Sequence, residues 1–356
     1  MKKLDKLTLK ERNQFVRRQK NNNKKNNRSR SKTKNLNPLN LKSRKTANKI
    51  DLPNIFDLHT NTDETLKVMN DFRTIVDKDN PKLNRLNFDE MEYINSSSAL
   101  MLAAEIDVWN GKVRQKLHAQ YKTWNDEIKA LLCEIGFFEL LGMMPIKNNE
   151  IIDKNTIFLQ FISGQRSEGN KAKELREKIE EVIGKELEEK THLFEGLSEA
   201  FTNTTHHAYD ENPNEYDKWW ITAAYKKDDR KLIVSMYDRG KSIPITIHKY
   251  SRWNEIKTYL NADLLKNHSR LIETAMKVSF ESKGKTRTKT QQPNRGKGLK
   301  QLLDFIKDNG RLTIISGKGF CIFTVNNDKL TTERRKSLKY PLKGTLIEWE
   351  INLPQS

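Results

Sequence analysis

Residues 191–211 read THLFEGLSEAFTNTTHHAYDE, and this stretch decides the fold of the second half of the chain. It contains Glu199, Asn203 and His207 at a spacing of four residues. At about 100° per residue, this spacing places the three side chains on one narrow stripe of an α-helix. The apolar residues lie on a separate stripe: Leu193, Leu197, Phe201 and Ala208. One face of the predicted helix therefore packs against the protein, and a neighbouring face presents a carboxylate, an amide and an imidazole.

The polar stripe carries groups that suit phosphate and metal chemistry. Mg²⁺ prefers oxygen ligands, and the side-chain carbonyl of Asn203 supplies one beside substrate phosphates. Glu199, one turn earlier, is placed to orient or deprotonate a water molecule. Taken alone, the stripe is more typical of an exposed polar helix face, so the neighbouring motifs have to decide between the two interpretations.

A predicted β-hairpin follows the helix. Residues 219–237 read WWITAAYKKDDRKLIVSMY, which is two strand-like runs around a polar turn. The second run ends at Asp238, and Gly240 comes two residues later. A carboxylate at a strand end accepts a hydrogen bond from an exocyclic amine, and a glycine beside it lets a flat ring approach the backbone.

Two glycine-rich stretches occur further along the chain. Residues 294–299, NRGKGL, precede the apolar helix predicted for residues 299–308. A glycine-rich turn that opens a helix offers free backbone N–H groups to phosphate. Residues 317–319, GKG, lie between two strand-like runs and predict only a hairpin turn.

The order of these motifs resembles that of the GHKL superfamily, which includes DNA gyrase, heat-shock chaperones, histidine kinases and mismatch-repair ATPases. Its N-box, Glu-x-x-x-Asn followed by His-Ala, matches residues 199–208. Its first glycine box, Asp-x-Gly-x-Gly-Ile-Pro, matches residues 238–244, with Ser242 in place of the second glycine. Its second box, Gly-x-Gly-Leu-Gly, matches residues 296–300, with Lys in place of the last glycine.

The final strand of the family begins with Gly-Thr and ends with Leu-Pro, as residues 344–354 do here. The resemblance covers about residues 190–354. It implies an α/β fold for residues 170–356, namely a Bergerat-type sandwich in which a mixed sheet carries helices on one face. It also implies that the domain binds ATP and Mg²⁺.

The resemblance further implies roles for single residues. Asp238 would contact the adenine amino group, with Gly240 and Thr345 nearby. Asn203 would bind Mg²⁺, and Glu199 would be the catalytic base if ATP is hydrolysed. The other residues that it places in the nucleotide site are His207, Ser242, Gly296, Lys297, Gly298 and Leu299.

Residues 52–165 predict a second, small α/β domain because strand-like and helical patterns alternate there. The predicted elements are a helix over 64–77, a strand over 83–88, a helix capped by Ser96, Ser97 or Ser98, helices over 114–132 and 134–141, and a strand over 157–161. A charged amphipathic helix over 170–190 then leads into the second domain or forms a dimer contact.

Part of this first domain resembles the strand–turn–helix of STAS domains, the anti-sigma-factor antagonist family. Residues 88–102 read FDEMEYINSSSALML, with Asn95 in place of the family's Asp and Ser98 in place of its Gly. The resemblance implies a protein partner for this STAS-like domain and phosphorylation of Ser97 by a partner kinase. A plain serine-rich helix cap is the alternative interpretation.

Basic residues are concentrated in two segments. Residues 1–50 carry 18 Lys and Arg against Asp5 and Glu11, which accounts for +16 of the net charge of +19. They contain few apolar residues, so they predict a disordered tail that either contacts nucleic acid or another polyanion or is simply solvated. Residues 281–297 are also basic and loop-like, and form either a lid over the phosphates or a charged surface loop.

Several kinds of protein are disfavoured by the sequence. No apolar run is long enough for a membrane-spanning helix, and the basic N-terminus lacks the apolar core of a secretory signal. Cys133 and Cys321 both lie among apolar residues, which predicts reduced, buried thiols and a cytoplasmic protein. None of the histidines has the setting of a phosphoacceptor, so an autophosphorylating histidine kinase is disfavoured.

Three functions remain open. The first is a Mg²⁺-dependent ATPase or ATP-gated switch that acts on a protein or nucleic-acid partner. The second is a serine/threonine protein kinase of the anti-sigma type, which uses the same fold and phosphorylates STAS-type serines. The third is a non-catalytic ATP-binding scaffold.

Overall fold

The computed structural model describes residues 49–114, 116–119, 121–144, 155–165, 169–183, 190–204, 208–209, 214–281 and 298–353. Residues 48–356 form one compact unit, and the other unit, residues 1–47, is outside the described part. The predictions made for the basic tail, for the lid beyond Glu281, and for His207, Gly296 and Lys297 therefore lie outside the described residues. In the described part, no helix combines the length and the apolar character needed to cross a membrane.

A six-stranded sheet forms the centre of the molecule. Its strands, numbered after four short strands that precede them in the chain, are β5 (Thr156–Phe158), β6 (Ile162–Gly164), β7 (Trp219–Lys226), β8 (Lys231–Asp238), β9 (Gly310–Asn326) and β10 (Lys329–Asn352). The order is β5–β7–β8–β10–β9, and β6 also pairs with β7. Among the described residues, every pairing between two strands of this sheet is antiparallel, which corrects the prediction of a mixed sheet.

The hairpin predicted over residues 219–237 is confirmed as β7 and β8. A four-residue turn, 227–230, joins the two strands, and Arg230 has a φ of 48°. The predicted turn at residues 317–319 is wrong, because β9 continues through it. The chain instead turns at Asn327 and Asp328, whose φ values of 50° and 55° suit a tight hairpin.

The glycines at 317 and 319 have a packing role instead. Gly317 has a φ of 56°, and a Cβ placed there would lie 2.4 Å from Nδ1 of His268. A Cβ at Gly319 would lie 2.9 Å from the backbone carbon of the same histidine. The two glycines therefore let β9 approach the helix that begins at His268, a contact that no local pattern announces.

The helices follow the predicted order in outline. They are α1 (Thr62–Val76), α2 (Ser96–Val113), α3 (Asp126–Glu134), α4 (Phe137–Leu140), α5 (Gly169–Ile183), α6 (Lys190–Asn203), α7 (Ile243–Thr246), α8 (Trp253–Tyr259), α9 (His268–Phe280) and α10 (Gly298–Asp304). Together with the sheet they confirm the prediction of an α/β fold.

Alternation along the strands divides the side chains between two cores. Val234 and Met236 of β8 and Trp349 and Ile351 of β10 join the core beneath α5, α6, α8, α9 and α10. Since successive side chains of a strand point to opposite faces, the intervening residues face the other side of the sheet.

That other side is covered by residues 49–144, here called the N-terminal layer. Its small strands make two parallel pairs, β1 (Lys49–Asp51) with β3 (Arg85–Asn87) and β2 (Ile55–Phe56) with β4 (Tyr93–Ile94). Helix α2 packs on β7 and β8, and α1 packs on β10. The helices on this face therefore belong to the N-terminal layer, whereas the helices of residues 169–304 pack on the opposite face.

The boundaries of the first domain differ in detail from the prediction. Lys49 and Ile50, which the sequence assigns to the tail, belong to β1. At the other end, β5 and β6 pair with β7 in the central sheet rather than with the strands of residues 49–94. The division between residues 52–165 and 170–356 itself stays a prediction.

Two local predictions in the N-terminal layer are wrong. The helix expected over residues 114–132 is interrupted, because Arg114 is left-handed with a φ of 54° and α3 begins only at Asp126. The cap of α2 is not a serine: the side chain of Asn95 accepts the hydrogen bond from the backbone N–H of Ser98, at 2.8 Å. The strand predicted over 83–88 and the helix predicted over 64–77 are confirmed by β3 and α1.

Candidate functional site

A row of buried polar residues crosses the sheet at the carboxyl end of β8, on the face covered by α5–α10. The register pairs Asp238 of β8 with Thr345 of β10, and Thr345 with Ser316 of β9. The preceding row on that face is apolar and contains Met236, with Ile347 beside it. The change from apolar to polar at one end of a packed face marks this row as a candidate binding site.

The members of the polar row are hydrogen-bonded to one another and to the next loop. The hydroxyl groups of Ser316 and Thr345 are 2.8 Å apart, and Ser316 is fully buried. The backbone N–H of Ile243 donates to the Ser316 hydroxyl at 2.8 Å. The loop after Asp238 is thereby held against the middle of β9.

Asp238 has the properties of a functional carboxyl group. It is 6% exposed, and its Oδ1 accepts the backbone N–H of Gly240 at 2.8 Å. Burial raises the pKa of Asp238 to about 7, although the hydrogen bond from Gly240 and the charge of Arg73 act in the opposite direction. Carboxyl groups whose pKa values are strongly shifted are more common at functional sites than elsewhere.

Two glycines beside Asp238 are required by close backbone approach. Gly344 has a φ of 111°, and a Cβ there would lie 1.9 Å from the carbonyl oxygen of Asp238. A Cβ at Gly240 would lie 2.4 Å from the carbonyl oxygen of Ala208. The sequence suggested that Gly240 makes room for a flat ring, but the neighbour that fills its space is Ala208.

The N-box helix, α6, reaches the Asp238 turn through the residues after its end. The carbonyl of Ala208 accepts the backbone N–H of Lys241 at 2.6 Å. The hydroxyl of Tyr209 accepts the backbone N–H of Arg239 at 3.0 Å and donates to the carbonyl of Lys218 at 2.6 Å. The turn after Asp238 and the residues that follow α6 are therefore in direct contact.

Glu199 and Asn203 lie one turn apart on α6, and both are half-buried. Burial raises the pKa of Glu199 to about 7, while a hydrogen bond from the Asn203 side chain lowers it. The carboxyl group is therefore divided between its two protonation states near neutral pH. A group of that kind can accept or release a proton at physiological pH.

Ser242 has an unused hydroxyl group. The residue is 4% exposed, and its Oγ has no hydrogen-bond partner among the described residues. A Cβ placed at Gly317 would lie 3.0 Å from this oxygen, so β9 passes beside it. Buried polar atoms without partners are uncommon in folded proteins, and a bound ligand is one way of satisfying them.

The second glycine box is described only from Gly298, the first residue of α10. Leu299 is buried in the core between the sheet and the helices, so its side chain has a packing role. Helix α10 packs against α6, where a Cβ at Gly196 would lie 3.4 Å from the carbonyl oxygen of Gln301. The second box is therefore brought beside the N-box helix.

The STAS-like serine lies on the opposite side of the sheet from this row. Ser97 is fully buried, and its hydroxyl donates to the Asn95 side chain at 3.3 Å. A further hydrogen bond of Ser97 reaches Glu348, a buried carboxylate of β10 that also binds His59 at 2.8 Å. In this arrangement the Ser97 hydroxyl is not accessible to another protein.

Neither cysteine forms a disulfide. Cys321 is buried, as predicted, and its thiol donates to the carbonyl of Ser269 at 3.4 Å. Cys133 is half-buried. Among the described residues, no cluster of three or more His, Cys, Asp or Glu side chains is arranged to hold a metal ion.

Sequence reasoning missed two residues of the polar row and its surroundings. Ser316 follows Leu312 and Ile314 at a spacing of two, which indicates that it shares their face of β9. Its position opposite Thr345 depends on the register between distant strands, which the sequence does not show. Tyr209 lies next to the N-box, and nothing in the local pattern points to its contact with Arg239.

Comparison with protein-family models and with curated proteins finds no match for this sequence. The fold and the site define the molecule as an α/β protein with a buried polar row at one end of an antiparallel sheet. Its function has to be inferred from the geometry of that row and of α6.

Proposed function

We propose that the polar row binds the adenine end of ATP, and that the chain is a Mg²⁺-dependent ATPase or ATP-gated switch. One observation carries the proposal. A buried carboxyl and a hydroxyl, Asp238 and Thr345, are paired across two strands, and Tyr209, which follows the helix that carries Glu199 and Asn203, contacts the same turn.

The polar row suits an adenine ring. A carboxylate accepts hydrogen bonds, a hydroxyl both donates and accepts, and an adenine offers an amino group beside ring nitrogens. Asp238 and Thr345 supply these two groups at the end of an apolar face, which favours a flat and largely apolar ligand. The free hydroxyl of Ser242 adds one more donor near the same turn.

Glu199 and Asn203 of α6 suit the phosphate groups of ATP. Bound ATP supplies the phosphoanhydride bond to be cleaved, and Mg²⁺ shields its charge. Because the described residues hold no acidic metal cluster, the ion would depend on phosphate oxygens, water and the amide oxygen of Asn203. Glu199, with a pKa near 7, would orient and deprotonate the attacking water. Lys297, Gly296 and Gly298 stay proposed phosphate ligands.

The alternative functions differ in what happens to the terminal phosphate. The buried position of Ser97 weighs against this serine as the substrate of a kinase while the N-terminal layer is packed on the sheet. The raised pKa of Glu199 favours a catalytic protein over an ATP-binding scaffold. Contact of residues 1–50 with nucleic acid, a protein partner for the N-terminal layer and a homodimer stay proposals.

Incubation with γ-labelled ATP and Mg²⁺ tests the proposal. Release of labelled phosphate is the expected result. Label on the protein would instead support the kinase, and binding without turnover would support the scaffold. Absence of saturable ATP binding would overturn the whole proposal.

A further inference from the structure

Arg239 follows Asp238 directly, but its side chain points to the other face of the sheet. There its guanidinium is 7% exposed and lies between two carboxylates of the N-terminal layer. Nε donates to Glu105 of α2 at 2.9 Å, and one terminal nitrogen donates to Asp77, at the end of α1, also at 2.9 Å. Burial alone would lower the pKa of this guanidinium, but the charge of Glu105 and its hydrogen bond raise it.

A second arginine holds the backbone of the same region. Arg73 of α1 donates to the carbonyl of Arg239 and to the carbonyl of Lys343. These residues adjoin Asp238 and Gly344, respectively, so one guanidinium joins the backbone just after β8 to the neighbouring part of β10. The hydroxyl of Tyr237 also donates to the Lys343 carbonyl, at 3.2 Å.

This buried cluster is costly as a source of stability alone. Glu105 is fully buried, and its Oε2 has no hydrogen-bond partner among the described residues. Buried ion pairs of this type often stabilise a fold no more than apolar residues of the same size would. What the cluster does achieve is geometric, because it ties α1 to the backbone carbonyls of Arg239 and Lys343 and ties α2 to the side chain of Arg239.

We propose that Glu105, Asp77 and Arg73 act as positioning residues that hold the Asp238 turn in its binding geometry, and so couple the N-terminal layer to the nucleotide site. The identity of the ligand rests on the proposed function, whereas the positioning of the Asp238 turn by these residues does not. A partner that shifts α1 or α2 changes the affinity of the turn for its ligand, and by reciprocity the ligand changes the affinity for the partner.

The test compares two carboxylate-to-amide changes on α2. Glu105→Gln removes the charge that holds Arg239. Asp107→Asn is the matched control, because Asp107 ties the same helix to β7, through Trp220 at 3.0 Å and Lys218 at 3.2 Å. Asp77→Asn is a milder second variant, since the Asp77 side chain is 43% exposed and folding should tolerate the change.

Two quantities are measured on the full chain: amide hydrogen exchange at Gly240, and the dissociation constant for ATP with Mg²⁺. We expect exchange at Gly240 to accelerate about tenfold in Glu105→Gln and less in Asp77→Asn, with no change in Asp107→Asn. We expect ATP binding to weaken by about tenfold in the same order, which is within the usual range for coupled sites.

Each outcome separates the coupling from the proposed function. If exchange at Gly240 is faster in Glu105→Gln while the wild-type protein binds no ATP, the positioning role is retained and the ATP site is rejected. Unchanged exchange at Gly240 in Glu105→Gln and Asp77→Asn would overturn the positioning role, whether or not ATP binds. A uniform increase across all amides would show a merely structural role and would also overturn it.

Discussion

At the scale of single residues, the unusual feature is a pair of carboxyl groups with raised pKa values. Asp238 and Glu199 both titrate near pH 7, and burial is the main cause in each case. The sequence predicted both as site residues from motif order, but it could not predict their pKa values, which depend on how much water the fold removes from around them.

The first prediction concerns Asp238→Asn. Because the folded-state pKa is raised, the carboxyl group contributes stability fully below its unfolded value of 3.8, and this contribution is lost as the pH rises through about 7. The amide has no charge to bury, so the variant should have a higher free energy of unfolding than the wild type at pH 8. The gain should disappear near pH 4, and ATP affinity should fall by about tenfold or more.

Urea unfolding at pH 8 and pH 4 measures the first effect, and equilibrium binding measures the second. Asp229→Asn, in the exposed turn of the hairpin, is the control and should change neither quantity. Equal changes in the free energy of unfolding at the two pH values would show that burial does not raise the pKa of the Asp238 carboxyl group.

The second prediction concerns Glu199→Gln. The amide cannot take a proton from water, so the rate of ATP hydrolysis should fall by about a hundredfold or more, while ATP affinity is retained. In the wild type, the rate should rise with pH through about 7 as the carboxyl loses its proton. Phosphate release across pH 5.5–8.5 measures this, and Glu195→Gln, one turn earlier on α6, serves as control. Full activity of Glu199→Gln would exclude this residue as the base.

At the scale of elements, local patterns were reliable where the partners are close in sequence. The hairpin of β7 and β8 was predicted because its strands and turn are adjacent. The glycines of β9 were misread as a turn because their partner, His268, is about fifty residues away. Arg114 likewise ends α2 by its backbone conformation, where the apolar pattern alone suggested more helix.

The third prediction concerns the contact between the loop before α1 and β10. Burial alone would lower the pKa of His59, but the hydrogen bond and charge of Glu348 raise it above 6.5. Burial alone would raise the pKa of Glu348, but the hydrogen bond and charge of His59 lower it. The pair therefore stabilises the fold most between about pH 4.5 and 6.5. At higher pH this stabilisation is lost as His59 deprotonates, and at lower pH it is lost as Glu348 protonates.

His59→Gln should therefore reduce the free energy of unfolding clearly at pH 5.5 and only slightly at pH 8.5. Chemical unfolding at the two pH values measures the difference. His248→Gln is the control, because that side chain is exposed and, in the described part of the chain, contacts the carbonyl of Ile245, three residues earlier. A loss that is the same at both pH values would contradict the pH-dependent pairing of His59 with Glu348.

At the scale of the whole molecule, the sheet carries a different layer on each face. The helices α5–α10 cover the face that ends in the polar row, and the N-terminal layer covers the other. The boundary between the tail and this unit falls at residue 47, just before β1.

The fourth prediction follows from that boundary. Deletion of residues 1–47 should leave ATP binding unchanged, because residues 48–356 form their own compact unit. It should remove salt-sensitive binding of nucleic acid, since these residues carry most of the net charge. Titration of DNA and RNA at two salt concentrations measures this. Undiminished binding by the truncated protein would place the contact elsewhere.

The sequence by itself determined the α/β class, the hairpin of β7 and β8, and the helix that carries Glu199 and Asn203. Spacing and alternation are properties of neighbouring residues, so a single chain displays them. Only the tertiary structure decided that Ser316 lies beside Thr345 and that Gly240 packs against Ala208. It also decided that the Arg239 side chain is hydrogen-bonded to Glu105 and Asp77 on the other face of the sheet. These contacts join residues that are far apart in the sequence, and strand register and the packing of whole layers bring them together.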